Sequence, residues 1–189
     1  NIRALRDPRL FDLPTTNHKG ATGDLIAPAQ DIGAEVVGMD FIQLLPGAAS
    51  NGRFIGMVSP VESVIFVNKN GDRFVGEDQR RDVIADAILS APTKVVFGIR
   101  DMDGYNAMKA GAKKAFDGAY STGDAVKADT LDDLALKLQV PAENLKRAVA
   151  EYNKAVETKK DPFGRKPAVL VQKIEKAPFF AGRLTMAVH

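Results

Sequence analysis

Two adjacent arginines, Arg80 and Arg81, are the side chains in this sequence best suited to chemistry on an organic acid. A guanidinium stays charged at neutral pH and binds a carboxylate through two parallel hydrogen bonds. Neighbouring side chains on a helix point about 100° apart, so only one of the two can face a given pocket. The alternative is a surface ion pair with Glu77, Asp78 or Asp82. These residues alone leave both interpretations open.

The two histidines, His18 and His189, are the next candidates. An imidazole can act as a general acid, donate a hydrogen bond to a carboxylate or serve a structural role. With two histidines and no cysteine, we expect no transition-metal site. The lack of cysteine also excludes disulfides, thiolate catalysis and iron–sulfur clusters within the chain.

The turn formed by Thr22, Gly23 and Asp24 precedes a predicted helix. Such a turn can present backbone amides to an anionic or hydrogen-bonding cofactor, although similar turns are common. The pattern Gly-x-Gly-x-x-Gly is absent from the sequence. The chain therefore does not build a dinucleotide-binding unit by itself.

A hairpin and a helix must position the arginine pair. Segments 61–68 and 73–75 are predicted strands, and Asn70 followed by Gly71 between them is typical of a type I′ turn. Asp78 or Asp82 is expected to cap the helix that follows. The apolar positions of that helix are Val83, Ile84, Ala87 and Ile88.

The other predicted elements mix strands and helices without strict alternation, which favours an α+β fold. Thr130 with Asp133 resembles a capping box, and Pro141 suits the start of a helix. The expected elements are a loop over 1–23, a helix from Asp24 to Gly33, a strand over 36–45, a loop over 46–56, a strand over 94–99, a helix over 103–116, helices after Thr130 and Pro141, a turn over 161–167, and strands over 169–174 and 182–188.

Bulk properties narrow the classes of function. A net charge of +2 over 189 residues, with one short basic stretch at 109–114, does not favour nucleic-acid binding. Apolar runs fall short of the roughly 18 residues that span a bilayer, so no membrane span is expected. The chain begins at Asn1 without methionine, as expected of a processed protein or an excised fragment.

Five motifs in order give the chain a resemblance to the FAD-dependent fumarate reductase and flavocytochrome c family of bacterial flavoproteins, which includes urocanate reductases. The motifs cover nearly the whole sequence. They are TTNHKGATGD at 15–24, DFIQLLP at 40–46, VNKNGDRFVGEDQRRDV at 67–83, the segment 130–153, and KAPFFAG at 176–182 with the final His189.

The resemblance implies a substrate-capping domain inserted into an FAD-binding domain. Residues 1–39 would be the joint from the FAD-binding domain, 40–178 the capping domain with mixed sheet hairpins and packed helices, and 179–189 the return strand. It implies that Arg81 delivers a proton to the substrate's α-carbon while the flavin delivers hydride to the β-carbon. Arg80 would be structural, His189 would bind a substrate carboxylate, and Thr22, Gly23 and Asp24 would lie close to the flavin.

Two departures from the family pattern bear on the substrate. Leu45 stands where fumarate-specific members have a carboxylate-binding histidine, and leucine donates no hydrogen bond. The segment GMVSPVES at 56–63 replaces their Thr-Glu and nearby arginine. Glu62 is a candidate to replace the relay acid or to contact a substrate heterocycle. The expected substrate is therefore a small unsaturated acid with one carboxylate, such as urocanate or cinnamate, and not fumarate.

Two other hypotheses remain open from the sequence. The chain could be a binding or interaction module that kept the fold without the chemistry. It could also come from a flavin-dependent ketosteroid dehydrogenase, although that chemistry needs no arginine proton donor. The isolated chain is expected to be inactive because most of the flavin site would lie in the FAD-binding domain of the parent protein. Periplasm and cytoplasm both stay open as locations.

Overall fold

The computed structural model describes residues 7–48 and 53–189. This part of the chain contains one five-stranded sheet and six helices. The strands are β1 (Leu44–Ala48), β2 (Ile65–Val67), β3 (Val96–Arg100), β4 (Ala125–Ala128) and β5 (Phe179–Val188). The helices are α1 (Ile26–Asp31), α2 (Arg81–Ser90), α3 (Met102–Asn106), α4 (Ala110–Thr122), α5 (Leu131–Leu138) and α6 (Ala142–Thr158).

Strand β5 is the centre of the sheet. It pairs with β3 along one side, while β4 pairs with its first half and β1 with its second half. Strand β2 completes the order beyond β3, and all of these strand pairs are antiparallel. The predicted α+β class is confirmed, and a parallel contact occurs only as an isolated bridge between Thr15 and Val188 among the described residues.

Helices cover both faces of the sheet because successive strand residues point to opposite sides. Phe66 packs into the core that contains residues of α2 and α4, whereas its neighbours Ile65 and Val67 pack into the core that contains residues of α5 and α6. We call these the α2 face and the α6 face. The strands are thus buried on both sides.

Helices α5 and α6 begin as the sequence predicts. The Thr130 hydroxyl accepts a hydrogen bond from the Asp133 amide at 3.0 Å. It donates to the Asp133 carboxylate at 2.8 Å, in place of the expected bond from the Thr130 amide. Pro141 directly precedes α6, whose predicted apolar side is buried. That side consists of Leu145, Val149, Tyr152 and Val156.

The strand predicted over 36–45 is wrong in its bounds. The chain is irregular there, with Val37 and Phe41 largely exposed, and β1 begins only at Leu44 and continues into the predicted loop. Proline is tolerated at Pro46 because β1 is an edge strand, where a missing amide breaks no second ladder. Residues 49–52 of that predicted loop lie outside the described residues.

The hairpin before the arginines has a different turn from the one predicted. Gly71 has a positive φ of 78°, but Asn70 does not, so the turn is not type I′. The Gly71 amide donates to Asn68 O and the Asn68 amide to Asp72 O, which is typical of a type I turn followed by a left-handed glycine. Beyond an isolated bridge from Val67 to Arg73, β2 pairs with β3.

Two further predictions need correction, and one strand was missed. The helix expected over 103–116 is two helices, α3 and α4, with Lys109 in an extended conformation between them. Strand β4 was not predicted. The segment 169–174 is not a strand, because the Asn153 side chain bonds both the amide and the carbonyl of Ile174 in place of a neighbouring strand.

Candidate functional site

Arg81 is the first residue of α2, and its side chain is exposed. Among the described residues it has no carboxylate within salt-bridge distance. Arg80 differs, because its guanidinium donates to both oxygens of Asp82 at 3.0 and 2.7 Å. The expected surface ion pair therefore exists for Arg80, and Arg81 is left available for another anion.

The start of α2 is not capped as expected. Arg80 is the residue before the helix, and its side chain makes no capping hydrogen bond. Asp82 lies inside the first turn, where a carboxylate interacts favourably with the helix dipole. Asp78 accepts a hydrogen bond from the Lys166 amide instead. Arg81 thus lies at the start of α2, at a helix end that the Arg80 side chain does not cap.

Arg81 lies on the walls of two cavities. The smaller one, of about 200 Å³, is here called the Arg81 cavity. Its walls are mostly apolar, apart from Arg81, Glu77 and Gln79. The apolar walls are Leu45, Pro46, Val58, Phe66 and Ile84. The structure thus brings together two residues selected from the sequence, Arg81 and Leu45.

The larger cavity, of about 530 Å³, shares Arg81 and extends along Ile42, Gln43 and Leu44. His189 lies beside this cavity, because its backbone amide donates a hydrogen bond to the carbonyl of the wall residue Gln43 at 3.0 Å. The His189 Nδ1 atom lies 2.7 Å from the Thr16 hydroxyl, and the side chain is exposed. The antiparallel pairing of β1 with β5 therefore places His189 next to a wall residue of this cavity.

A buried ion cluster lies directly behind the Arg81 cavity. Arg73 donates to Glu77 at 2.8 Å and to Asp161 at 2.9 Å, and Arg165 donates to Glu77 at 3.1 Å. These four side chains are at most 1% exposed. The Tyr152 ring lies against both arginines, at 5.4 and 4.9 Å from their guanidinium carbons. Buried charges need such pairing because each loses its hydration.

The pKa values in this cluster follow from its pairing. Burial alone would lower the pKa of Arg73, but hydrogen bonds and charge from Asp161 and Glu77 outweigh it and raise that pKa. Burial likewise favours protonated Asp161, yet the hydrogen bond and charge of Arg73 lower its pKa overall. Arg73 and Asp161 therefore both stay charged at neutral pH, and their ion pair anchors the cluster.

Sequence reasoning missed this cluster. Glu77 was considered as a surface partner of the arginine pair, and the structure shows that it is buried and bonded to Arg73 and Arg165 instead. Asp161 was assigned only to a turn. The four-residue spacing of Arg73 and Glu77 was the available signal, whereas Arg165 lies 88 positions from Glu77 and gave none.

Glu62 is not on the walls of the Arg81 cavity. It lies in the short 3-10 segment Val61–Ser63, where its carbonyl accepts a hydrogen bond from the Tyr152 hydroxyl at 3.0 Å. Fully buried Arg100 fixes the same loop by donating to Met57 O at 2.9 Å. Burial lowers the pKa of Arg100 to about 10. This loop contributes Val58 to the wall of the Arg81 cavity, and Glu62 is not part of that wall.

The turn at Thr22, Gly23 and Asp24 is exposed and precedes the six-residue helix α1. The three amides make no hydrogen bond within the described part of the chain, and Gly23 has a φ of 74°, which favours glycine. Leu25 and Ile32 nearby are 81% and 88% exposed. Free donors beside apolar surface fit the polar edge and the flat face of a flavin ring.

The chain matches the model of a known protein family over residues 3–189, and that family is the FAD binding domain. The chain belongs to this family. FAD is accordingly its cofactor, as the motifs predicted. The resemblance to fumarate-reductase-type flavoproteins is also confirmed by individual relatives.

Two relatives of this chain are named as an oxidoreductase and a reductase. The chain is 36% identical over 180 residues to the NADH:acrylate oxidoreductase of Vibrio harveyi, and the match covers 94% of this chain and 18% of that protein. It is 29% identical over 180 residues to the urocanate reductase of Eggerthella lenta, covering 93% of this chain and 30% of that protein. The chain thus spans less than a third of either relative.

A solved structure with the same fold is the open conformation of a flavocytochrome c3 fumarate reductase. The TM-score is 0.80 at 29% identity, and the match covers 100% of this chain and 32% of that one. The predicted fold of a fumarate-reductase-type flavoprotein is therefore confirmed. Within residues 7–48 and 53–189, none of the helices combines the length and the apolar surface that crossing a bilayer requires.

Proposed function

We propose that this chain is the substrate-capping part of an FAD-dependent oxidoreductase that reduces the C=C bond of an α,β-unsaturated monocarboxylate. In this proposal residues 40–178 form the cap, while 1–39 and 179–189 join it to the part that holds most of the FAD. The observation that carries the proposal is Arg81, whose guanidinium has no carboxylate partner in the part of the chain that the structure describes and lies at a mostly apolar cavity that also contains Leu45. The family and the two reductase relatives support it.

The proposed role of Arg81 is to give a proton to the α-carbon of the substrate. The reduced form of FAD, when bound, would supply the hydride for the β-carbon. A guanidinium is a weak acid in water, so the proton transfer needs a site closed to solvent and a substrate carbon that becomes basic. Arg81 is exposed in this chain. The proposal therefore requires the FAD-holding part to cover α2 when substrate is bound.

The other proposed contacts follow from the same arrangement. His189 would donate a hydrogen bond to the substrate carboxylate, because it directly follows β5 and its amide bonds to Gln43, a wall residue of the larger cavity. The turn at Thr22, Gly23 and Asp24 would offer its free amides to the flavin. Glu62 is not on the cavity wall, so this proposal gives it no contact with the reacting carbons.

The proposed substrate has one carboxylate because the Arg81 cavity is apolar where a second carboxylate would need a donor. Leu45, Val58 and Phe66 supply no hydrogen bonds there. The V. harveyi relative is named for acrylate, which is a monocarboxylate, and the E. lenta relative for urocanate, which is another. Acrylate, urocanate and cinnamate are thus the compounds to try first.

The test is a substrate panel with the full-length flavoprotein. Initial rates with acrylate, urocanate and cinnamate are compared with the rate with fumarate, using a reduced dye as electron donor. We expect at least one monocarboxylate to have a higher kcat/KM than fumarate. Leu45→His should move the preference towards fumarate, and Leu45→Met is the control that keeps the wall apolar.

Faster reduction of fumarate than of every monocarboxylate would contradict the substrate assignment. Absence of turnover with all four acids, in a protein that still contains FAD, would contradict the reductase proposal itself. An isolated chain of residues 1–189 should show no turnover under any of these conditions.

A further inference from the structure

A second cavity of about 360 Å³ lies on the α6 face of the sheet. Its floor includes Phe97 and Ala181, which belong to the core on that face, whereas Phe66 of the Arg81 cavity belongs to the core on the α2 face. The two cavities are therefore separated by the sheet. The lining residues are Lys69, Thr93, Val95, Phe97, Gly123, Asp124, Ala125, Val126, Lys137, Leu138, Ala181 and Arg183.

Three cations line this second cavity, and neutral groups hold two of them in place. The Lys69 ammonium donates to Leu138 O at 3.0 Å and lies 5.3 Å from the centre of the Phe97 ring. The Lys137 ammonium donates to Lys127 O at 2.6 Å. Each of these bonds uses one N–H and leaves two donors for a ligand.

The charge of the cavity is not neutralised internally. Among the described residues, Lys69, Lys137 and Arg183 have no carboxylate within salt-bridge distance. Asp124 is the one acidic residue on the wall, and it accepts a hydrogen bond from the Thr122 hydroxyl. Three cations against one carboxylate leave an excess of two positive charges. A dianion would balance that excess.

The floor of the second cavity is apolar. Phe97, Leu138 and Ala181 are buried there, and Val95 is half-buried at its side. The volume is in the range of pockets that bind small organic molecules, about 300–1,000 Å³. A cationic rim above an apolar floor suits a ligand with an anionic head and an apolar body.

We propose that this second cavity binds a phosphate monoester carried on an aromatic or other apolar group. A phosphate monoester is largely dianionic at neutral pH and offers three acceptor oxygens, which match the two ammonium groups and the guanidinium. The apolar body covers Val95, Phe97 and Leu138. The site is distinct from the proposed reductase site and does not depend on it.

The probe for this site is phenyl phosphate, titrated calorimetrically into the full-length flavoprotein with FAD bound. Inorganic phosphate supplies the head without the body, benzoate supplies the same ring with a single charge, and phenol supplies the ring without charge. We expect saturable binding of phenyl phosphate, at least about tenfold tighter than of each of the other three compounds.

The variant that tests the residues is the double substitution Lys137→Gln with Arg183→Gln. Both side chains are exposed, so the fold should survive, which the midpoint of thermal unfolding checks. We expect phenyl phosphate binding to weaken about tenfold or more. The control is Lys154→Gln with Lys160→Gln, which removes the same net charge from exposed positions off this cavity and should leave binding unchanged.

Two results would overturn the proposal. One is equal weakening in both double variants, which would mean that only the net charge of the protein attracts the probe. The other is the absence of saturable phenyl phosphate binding in the unmodified protein. Turnover of enoates enters neither readout, so the proposal stands or falls separately from the reductase function.

Discussion

Two arginine-containing parts of one short segment have opposite environments. Arg73 and Glu77 are buried and fully paired, whereas Arg80 and Arg81 a few residues later are exposed, and Arg81 has no ion-pair partner among the described residues. The charged residue types are similar in both parts. The comparison teaches that the carboxylates of Glu77 and Asp161 are committed to structural arginines, whereas Arg81 at the start of a helix is left available for another anion.

The two parts are physically connected through Glu77. Its carboxylate bonds Arg73 and Arg165, accepts a hydrogen bond from the Phe66 amide at 2.9 Å and lies on the wall of the Arg81 cavity. The buried cluster thus fixes the chain immediately before α2. If the comparison is correct, substitutions in the cluster should mainly lower the free energy of unfolding. Substitution of Arg81 should lower turnover and leave stability unchanged.

The largest expected effect is on turnover. Arg81→Ala should lower kcat of the full-length flavoprotein by about 10²- to 10⁴-fold, the range for loss of a positioned general acid. Arg81→Lys should also be strongly impaired, because an ammonium lacks the planar geometry of the guanidinium. The measurements are steady-state kinetics together with the midpoint of thermal unfolding, which should not move.

Arg80→Ala is the matched control, since it removes the same charge one residue earlier. It should leave kcat near that of the unmodified protein. A similar loss in the Arg80 and Arg81 variants would erase the proposed difference between them.

Glu77→Ala should produce the largest loss of stability. It leaves Arg73 with one carboxylate and Arg165 with none, and breaking a buried ion pair on one side costs about 3–5 kcal/mol. Urea denaturation of the chain measures the free energy of unfolding. Glu143→Ala, at an exposed carboxylate of α6, is the control and should lose far less. A loss at Glu77 no larger than at Glu143 would show that the cluster is not an anchor.

The stability of the folded chain should depend on pH through the carboxylate of Asp161. Its pKa is lowered in the folded chain from the ordinary value of 3.8, so the stabilisation is complete above that value and is lost as pH falls towards the lower folded pKa. Stability of the unmodified chain should therefore fall with acid below about pH 4.

Asp161→Asn should flatten part of that acid dependence and lower stability at pH 7. Asp129→Asn, at an exposed aspartate, is the comparison and should leave the curve unchanged. Denaturation curves collected from pH 2.5 to 7, a range set by the ordinary carboxyl pKa of about 4, make the measurement. An Asp161→Asn curve parallel to that of the unmodified chain would argue against this ion pair.

The smallest effect expected is that of Tyr152→Phe. Burial raises the pKa of Tyr152, so its hydroxyl stays protonated and its one O–H is shared between Glu62 O at 3.0 Å and Gln172 O at 2.9 Å. Removing it leaves two carbonyls without this donor, at a cost of about 1–3 kcal/mol. Tyr120→Phe, at an exposed ring, should change nothing, and equal stability of the two variants would contradict the role of the hydroxyl.

Local signals predicted the elements that depend on local interactions. Thr130 and Pro141 mark helix starts through chemistry confined to one turn, and the apolar spacing from Leu145 to Val156 identifies the buried side of α6. The order of motifs was enough for the family and the cofactor. Leu45 was selected by its place in a motif, and the structure puts it in the same cavity as Arg81.

Other features depend on partners far away in the chain. The apolar run around Phe41 resembled a strand, but the described sheet offers it no neighbour and its ring is 91% exposed. Asp161 and Arg165 became structural only because the fold carries them to Glu77. Local patterning cannot show which charged residues will meet, so the buried cluster was beyond what the sequence could predict.

The central position of β5 has a consequence for how the molecule folds. Residues 179–188 pair with three other strands, including β1, which lies far earlier in the chain. Contacts between distant segments form slowly because a long loop must close first. During synthesis the sheet therefore cannot be completed until β5 has left the ribosome. Leu45 and His189 should acquire their positions in this last step, which makes the candidate site a late product of folding.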